Sequence, residues 1–160
     1  MLNLITSHTL EQLSDRAKHQ PRLRQNLNFH THHNAACHRL LNALEPGTYV
    51  QPHRHLASEK DETILIVRGR CGVLLFDELG VVTQQLILDA TIGVFGLTIP
   101  INQFHSLLAL ESGTVFFESK AGPYAPLSQQ EKASWAPAEG ESGWQDYLAK
   151  MEVYFEEWRS

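Results

Sequence analysis

The 160-residue chain lacks most of what nucleic-acid-binding, membrane and disulfide-built proteins need. It has no basic block: 13 Lys and Arg stand against 18 Asp and Glu, a net charge of −5 with His neutral. The one local cluster, Arg22-Leu23-Arg24, is too short to hold a phosphate backbone, which takes clustered cations. Nucleic acid is therefore not an expected partner. No apolar run approaches the roughly 20 residues that cross a bilayer. The opening Met1-Leu2-Asn3-Leu4-Ile5-Thr6-Ser7-His8 has neither the basic start nor the long apolar stretch of a secretory signal. The chain reads as cytoplasmic, without a membrane partner. Cysteine is scarce: Cys37 and Cys71 have no metal-finger or redox-motif spacing, and in a reducing compartment both read as free, buried or half-buried thiols. No internal repeat, no second domain and no strand–helix–strand alternation is visible, which argues against a parallel sheet.

What the chain has in excess is histidine. There are nine, and seven fall between His19 and His55. Histidine is the commonest metal-ligating side chain and titrates near neutral pH, so metal or proton chemistry is the first functional expectation. The hydrophobic pattern supplies the scaffold. Leu10, Leu13 and Ala17 recur at helical spacing, predicting a helix over about 7–19, capped by Ser7 with Glu11 nearby and stopped by Pro21. Asn26 to Asn34 reads as loop or irregular edge strand. From about 36 to 120, short apolar runs alternate with turn residues. They are Cys37–Leu44, Thr48–Pro52, Thr63–Arg68, Val73–Phe76, Val81–Leu88, Val94–Ile99, Phe104–Leu110 and Thr114–Glu118. That is the pattern of an antiparallel sandwich or jelly-roll barrel. After a Gly-Pro-rich loop, residues from about 143 to 158 form an amphipathic helix. Its apolar face is Trp144, Tyr147, Leu148, Met151, Tyr154, Phe155 and Trp158, and Ser142 with Gln145 forms a capping box. The fold expectation is all-β: one barrel domain with a helix at each end. The aromatic face of the last helix suits core packing or contact within a homodimer.

One constellation carries chemistry. His53 and His55 are one residue apart. On a helix they would point about 200° apart, but on a strand they share a face, because strand side chains alternate. Glu62 opens the next apolar run, and His105 stands near the start of a later strand after Pro100-Ile101-Asn102-Gln103. Three imidazoles and a carboxylate suit one divalent ion of zinc, iron, manganese, nickel or cobalt, with positions left for water or substrate.

These residues resemble the two cupin motifs. The first runs Gly, five residues, His-x-His, three or four residues, Glu, six residues, Gly. Here it is Gly47, five residues, His53-Arg54-His55, six residues, Glu62, six residues, Gly69. The second, usually Gly, five residues, Pro-x-Gly, two residues, His, three residues, Asn, has the counterpart Gly93, six residues, Pro100-Ile101-Asn102, two residues, His105, with Asn102 in place of Gly and Ala109 in place of Asn. Glu59 keeps the usual distance from His55 and Glu62 the usual distance to Gly69. Both remain ligand candidates, with Glu62 favoured because the distance to Gly69 places it in its strand. Asn28-Phe29-His30, Arg39-Leu40-Leu41-Asn42, Pro52-His53-Arg54-His55, Glu118-Ser119-Lys120-Ala121-Gly122-Pro123-Tyr124 and Trp135-Ala136-Pro137 resemble the WbuC family of cupin-fold metalloproteins over roughly residues 2 to 140. That resemblance implies a cupin (jelly-roll) barrel, a bound metal and an association with bacterial O-antigen and surface-polysaccharide biosynthesis.

The remaining candidates are read from parity and resemblance. If His53 and His55 point inward, Tyr49 and Gln51 do too unless Pro52 breaks the alternation, and Ile64 and Ile66 share a face with Glu62. His30, Tyr49 and Glu59 are the acid–base candidates. Arg39, Gln51, Lys120 and Tyr124 are the substrate-binding candidates, Arg39 because a guanidinium pairs well with carboxylate or phosphate. The cluster His30-Thr31-His32-His33 reads as a solvated loop, and His38 as a packed histidine. Three function classes follow: a metal-dependent enzyme acting on a small polar molecule, which the WbuC resemblance implies is a sugar or nucleotide-sugar, by isomerisation, epimerisation or oxygenation; a non-catalytic metal-dependent binding module; and a metal-stabilised partner of other surface-polysaccharide enzymes.

Overall fold

The computed structural model describes residues 2–158. Among them the strands are β1 (Arg24–Asn28), β2 (Cys37–Leu44), β3 (Glu62–Arg68), β4 (Cys71–Phe76), β5 (Val82–Leu88), β6 (Gly96–Ile99), β7 (Phe104–Ala109) and β8 (Thr114–Ala121), with helices α1 (Ser7–Lys18) and α2 (Trp144–Val153). A five-stranded sheet in the order β1-β2-β8-β3-β6 faces a three-stranded sheet in the order β5-β4-β7. Every pairing is antiparallel. This is the expected jelly-roll barrel of the cupin type, with a helix at each end of the chain.

Period-two alternation sorts the side chains into layers. Ile64, Ile66, Val73, Leu88, Leu107 and Phe116 fill the space between the sheets. On the outer face of the large sheet, Leu41, Ala43 and Val115 are covered by Leu10, Leu13 and Ala17 of α1. On the outer face of the small sheet, Leu74, Phe76, Phe104 and Leu108 are covered by Leu148, Met151 and Phe155 together with Ala133 and Ala136. The aromatic face of the last helix therefore closes this chain's own core. Phe155 sits so close over Gly72 that any Cβ there would meet its ring at 2.7 Å.

Three local expectations are corrected. α1 is capped by Thr6, not Ser7: Thr6 is extended, its side chain accepts from the Thr9 amide, and the Thr9 hydroxyl accepts from the Thr6 amide. α2 has no Ser142–Gln145 box. Its N-cap is Gly143 in the left-handed region, and the helix stops at Val153, leaving Glu156–Trp158 as a short 3-10 turn. The run from Thr48 to Pro52 is extended but not laddered, because its bonds go to scattered partners: the Thr48 hydroxyl donates to Leu23 O, Val50 O accepts from the Ser106 hydroxyl, and Pro52 O accepts from the Ala133 amide.

Candidate metal centre

His53, His55, Glu62 and His105 meet at one end of the space between the sheets, with one ligand atom from each lying within 4.8 Å of the others. Glu62 begins β3 and His105 lies on β7. His53 is held against β7 by a reciprocal pair, His53 N–H to His105 O at 3.0 Å and His105 N–H to His53 O at 2.9 Å. The two motif halves are joined a second time by the Asn102 amide, which donates to His55 O at 2.7 Å. Asn102 has φ 65°, a left-handed conformation that Asn adopts more readily than other non-glycine residues, so it serves where the motif usually has Gly. Gly69 has φ 75°, and a Cβ on it would meet the Thr114 backbone at 2.9 Å, which anchors the strand end that starts with Glu62.

The ring nitrogens show what the site is built to hold. His53 Nδ1 donates to Gln51 O at 3.0 Å and His105 Nδ1 donates to Gln103 O at 2.9 Å. A carbonyl can only accept, so each Nδ1 carries a proton, which leaves Nε2 as the ring nitrogen that a metal could use. His105 Nε2 lies 3.3 Å from one Glu62 oxygen and His55 Nε2 lies 2.8 Å from the other. Both nitrogens are buried without a hydrogen-bond partner. Ring nitrogens and a carboxylate this close call for positive charge between them, from a proton or a metal ion. Burial and the neighbouring His105 ring push His53 down to about 3, so the His53 ring is neutral at ordinary pH. Burial alone would raise Glu62, but the His105 and His55 rings and the Lys120 ammonium hold it well below the usual carboxylate range. Three imidazoles and a carboxylate held well below its usual range, with ligand atoms within 4.8 Å of one another, are a donor set that suits a divalent transition ion, and the residues fit the group.

The four expected ligand residues lie together, with Glu62 buried and Glu59 in an exposed turn. Other candidates are placed differently. Alternation breaks at Pro52: Val50 faces the barrel interior, while Tyr49 lies on the outer side of the small sheet and donates to Pro137 O at 2.7 Å. Gln51 likewise bonds Ala136 O, at 3.2 Å. Tyr49 and Gln51 are thereby corrected from site residues to tethers of the 133–137 segment. Glu59 has no place in the cluster, and Ile64 and Ile66 pack in the apolar core instead of lining a cavity. Arg39 is exposed on the outer face of β2, paired with Ser119, so its reading as a substrate anchor is corrected by strand parity. His30 stacks on His38 with ring centroids 4.0 Å apart, and it is His38, not His30, that reaches the cleft.

That cleft, about 400 Å³, opens over His53 and His55 and is also lined by His38, Lys60, Lys120, Tyr124 and Glu131. Lys120 Nζ lies 2.6 Å from Glu62 Oε1 and 2.7 Å from Glu118 Oε1, and the two carboxylates keep it protonated against the cost of burial. Glu118 was not singled out in the sequence. It lies two residues before Lys120 on the same strand face, so parity from Lys120 was the signal that finds it. Burial first, and then the Glu62 carboxylate, raise Glu118. His32 and His33 line a separate surface pocket with His30, and no second metal-ligating cluster occurs among the described residues.

Residues 5–88 match the model of a family described as a domain of unknown function, DUF6016. The chain belongs to the DUF6016 family. No curated protein matches it. Among solved structures, KdgF from Halomonas sp. superposes with a TM-score of 0.50 at 18% identity, over 67% of this chain and 85% of that one. A cupin 2 domain-containing protein from Halorhodospira halophila superposes with a TM-score of 0.50 at 19% identity, over 69% of this chain and 71% of that one. At such identities the likeness concerns the fold: this DUF6016 member is a cupin barrel. Among the described residues, no helix is long and apolar enough to cross a membrane.

Proposed function

We propose that this DUF6016 protein is a metal-dependent enzyme of the WbuC type, acting in the cytoplasm on a sugar or nucleotide-sugar of bacterial surface-polysaccharide (O-antigen) biosynthesis. The observation that carries the metal is the convergence of His53, His55, Glu62 and His105, with one ligand atom from each within 4.8 Å of the others and the His55 and His105 Nε2 atoms facing the two oxygens of Glu62. His53, His55, Glu62 and His105 would hold the ion, which would supply Lewis-acid polarisation and a lowered pKa for bound water. Gln51 O and Gln103 O orient two of the imidazoles, Lys120 holds the Glu62 carboxylate in place, and His38 is the remaining imidazole at the cleft. The sugar assignment is supported by the resemblance of Glu118 to Tyr124 and the other quoted segments to the WbuC family.

A second reading, a non-catalytic metal-dependent binding module, is favoured by a specific observation: among the described residues, the cleft offers no free carboxylate. Glu131 accepts from the Ser128 amide and hydroxyl and from the Leu56 amide, and Glu118 accepts from Asn42 and faces Lys120. Plasma mass spectrometry of protein purified without a His tag, beside a His53→Ala/His105→Ala variant, tests the metal. Near-stoichiometric metal in the wild type and none in the folded variant is expected. No metal after reconstitution with any first-row divalent ion would overturn both readings. Conversion of a nucleotide-sugar by the loaded protein, against binding without conversion, separates them.

A further inference from the structure

The DUF6016 chain departs from the cupin spacing by placing six residues between His55 and Glu62, and those extra residues have a destination. Ala57 to Lys60 forms a turn closed by the Lys60 amide on Ala57 O at 3.1 Å, and the turn brings Lys60 to the wall of the cleft above His53 and His55. The other Arg and Lys side chains of the cleft wall are paired. Arg22 and Arg24, also on the cleft wall, share the Glu139 carboxylate. Lys120 lies between Glu62 and Glu118. Glu131, the acid of the cleft wall, is occupied by two amides and a hydroxyl. Lys60 is the cation of this wall without a carboxylate partner among the described residues. An ammonium without a carboxylate partner, in a cleft of about 400 Å³ that His53 and His55 also line, is placed to meet charge brought by a ligand.

We propose that the lengthened His55–Glu62 loop is a specificity loop, and that Lys60 selects ligands bearing an anionic oxygen group, carboxylate or phosphate, whose other oxygens reach the metal side of the cleft. The proposal rests on the metal reading above and deepens it: the ligand is a small acidic or phosphorylated polyol, not a neutral sugar. A divalent ion bound at the three imidazoles adds positive charge to the same cleft, so ion and Lys60 attract such a ligand together.

Calorimetric titration of the full chain, loaded with metal, tests this with four probes: D-glucose, D-glucose 6-phosphate, D-glucuronate and inorganic phosphate. The three sugars keep the carbon frame nearly constant and change its charge. At least one anionic sugar is expected to bind about tenfold or more tighter than D-glucose, as for a charge-assisted hydrogen bond. Lys60→Ala is expected to remove that preference without changing metal content, and Lys60→Arg to restore it. Tighter binding of inorganic phosphate than of either anionic sugar, equal binding of neutral and anionic sugars, no binding of any anionic probe, or an unchanged preference in Lys60→Ala would each overturn the proposal. Metal present with no charge preference would sink this inference alone. Metal absent from the wild type would sink the metal reading and this one with it.

Discussion

Along β3, β7 and β8 the inward faces carry two different interiors. At one end stand Glu62, His105, Glu118 and Lys120; two to four residues further along the same strands stand Ile64, Ile66, Leu107 and Phe116. Exposure does not separate them: Glu62 is 3% exposed and His105 1%, against 0% for Ile64 and 6% for Leu107. What separates them is the need for partners. The apolar end is stable by leaving water, at roughly 25 cal/mol per Å² of apolar surface removed. The polar end would be costly by the same removal unless each charge met its opposite. The strands thus use one packing rule to support a cluster of candidate metal ligands whose components would be unfavourable singly.

The sharpest break in this comparison is Glu62→Gln against Ile64→Ala, two residues apart on one strand face. Glu62→Gln is expected to weaken metal binding by more than about a hundredfold, since loss of even an outer-shell partner costs about ten- to a hundredfold; Ile64→Ala is expected to keep metal stoichiometry. Competition with a chromogenic chelator reads both. In urea melts of metal-free protein, Ile64→Ala is expected to lose about 3 kcal/mol, the usual cost of a cavity left by a buried aliphatic side chain, and a loss under about 1 kcal/mol would show that the apolar end repacks freely.

Proton linkage sharpens the same contrast. His53 titrates at about 3 in the folded chain against an ordinary 6.5, so the unfolded chain takes up a proton that the folded one refuses as pH falls through that window. Glu62 is also depressed, so the stability it contributes is present above the ordinary carboxylate range and is lost as pH falls through its lower folded value. The urea midpoint of metal-free protein is therefore expected to fall between about pH 6.5 and 3. Ile64→Ala is expected to shift the curve down in parallel, and His53→Gln to flatten it. An Ile64→Ala curve of different slope would mean that the two ends are coupled. The smallest effect belongs to Tyr49→Phe: about 1 kcal/mol of stability, from the lost bond to Pro137 O, and no change in metal content. Loss of metal would return Tyr49 to the site.

How far the sequence was legible follows from the same physics. Strand alternation and turn residues place the barrel, because period-two patterning is local. His53, His55, Glu62 and His105 are legible because ligand spacing along a strand is local too. Reading Tyr49 and Gln51 by parity fails at Pro52, where the chain turns the face of its side chains while its backbone bonds go to β7 and to residues 131–133. Arg39 fails because nothing local says which face of β2 looks inward; the pairing of His38 with Lys120 decides it. The aromatic stripe of the last helix is legible as apolar, but whether it meets this chain or a second copy is settled by the fit of Phe155 over Gly72.

By itself, then, the amino-acid sequence determined the all-β pattern, the helix at each end and the donor set for one divalent ion, since each depends on residue types at short, fixed spacings. Tertiary structure alone decided that Glu118 lies behind Lys120 and that Lys60, among the described residues, stands without a carboxylate partner on the cleft wall. These depend on which strands pair and in what register, and on where every other charge finds its partner, which only the closed barrel defines.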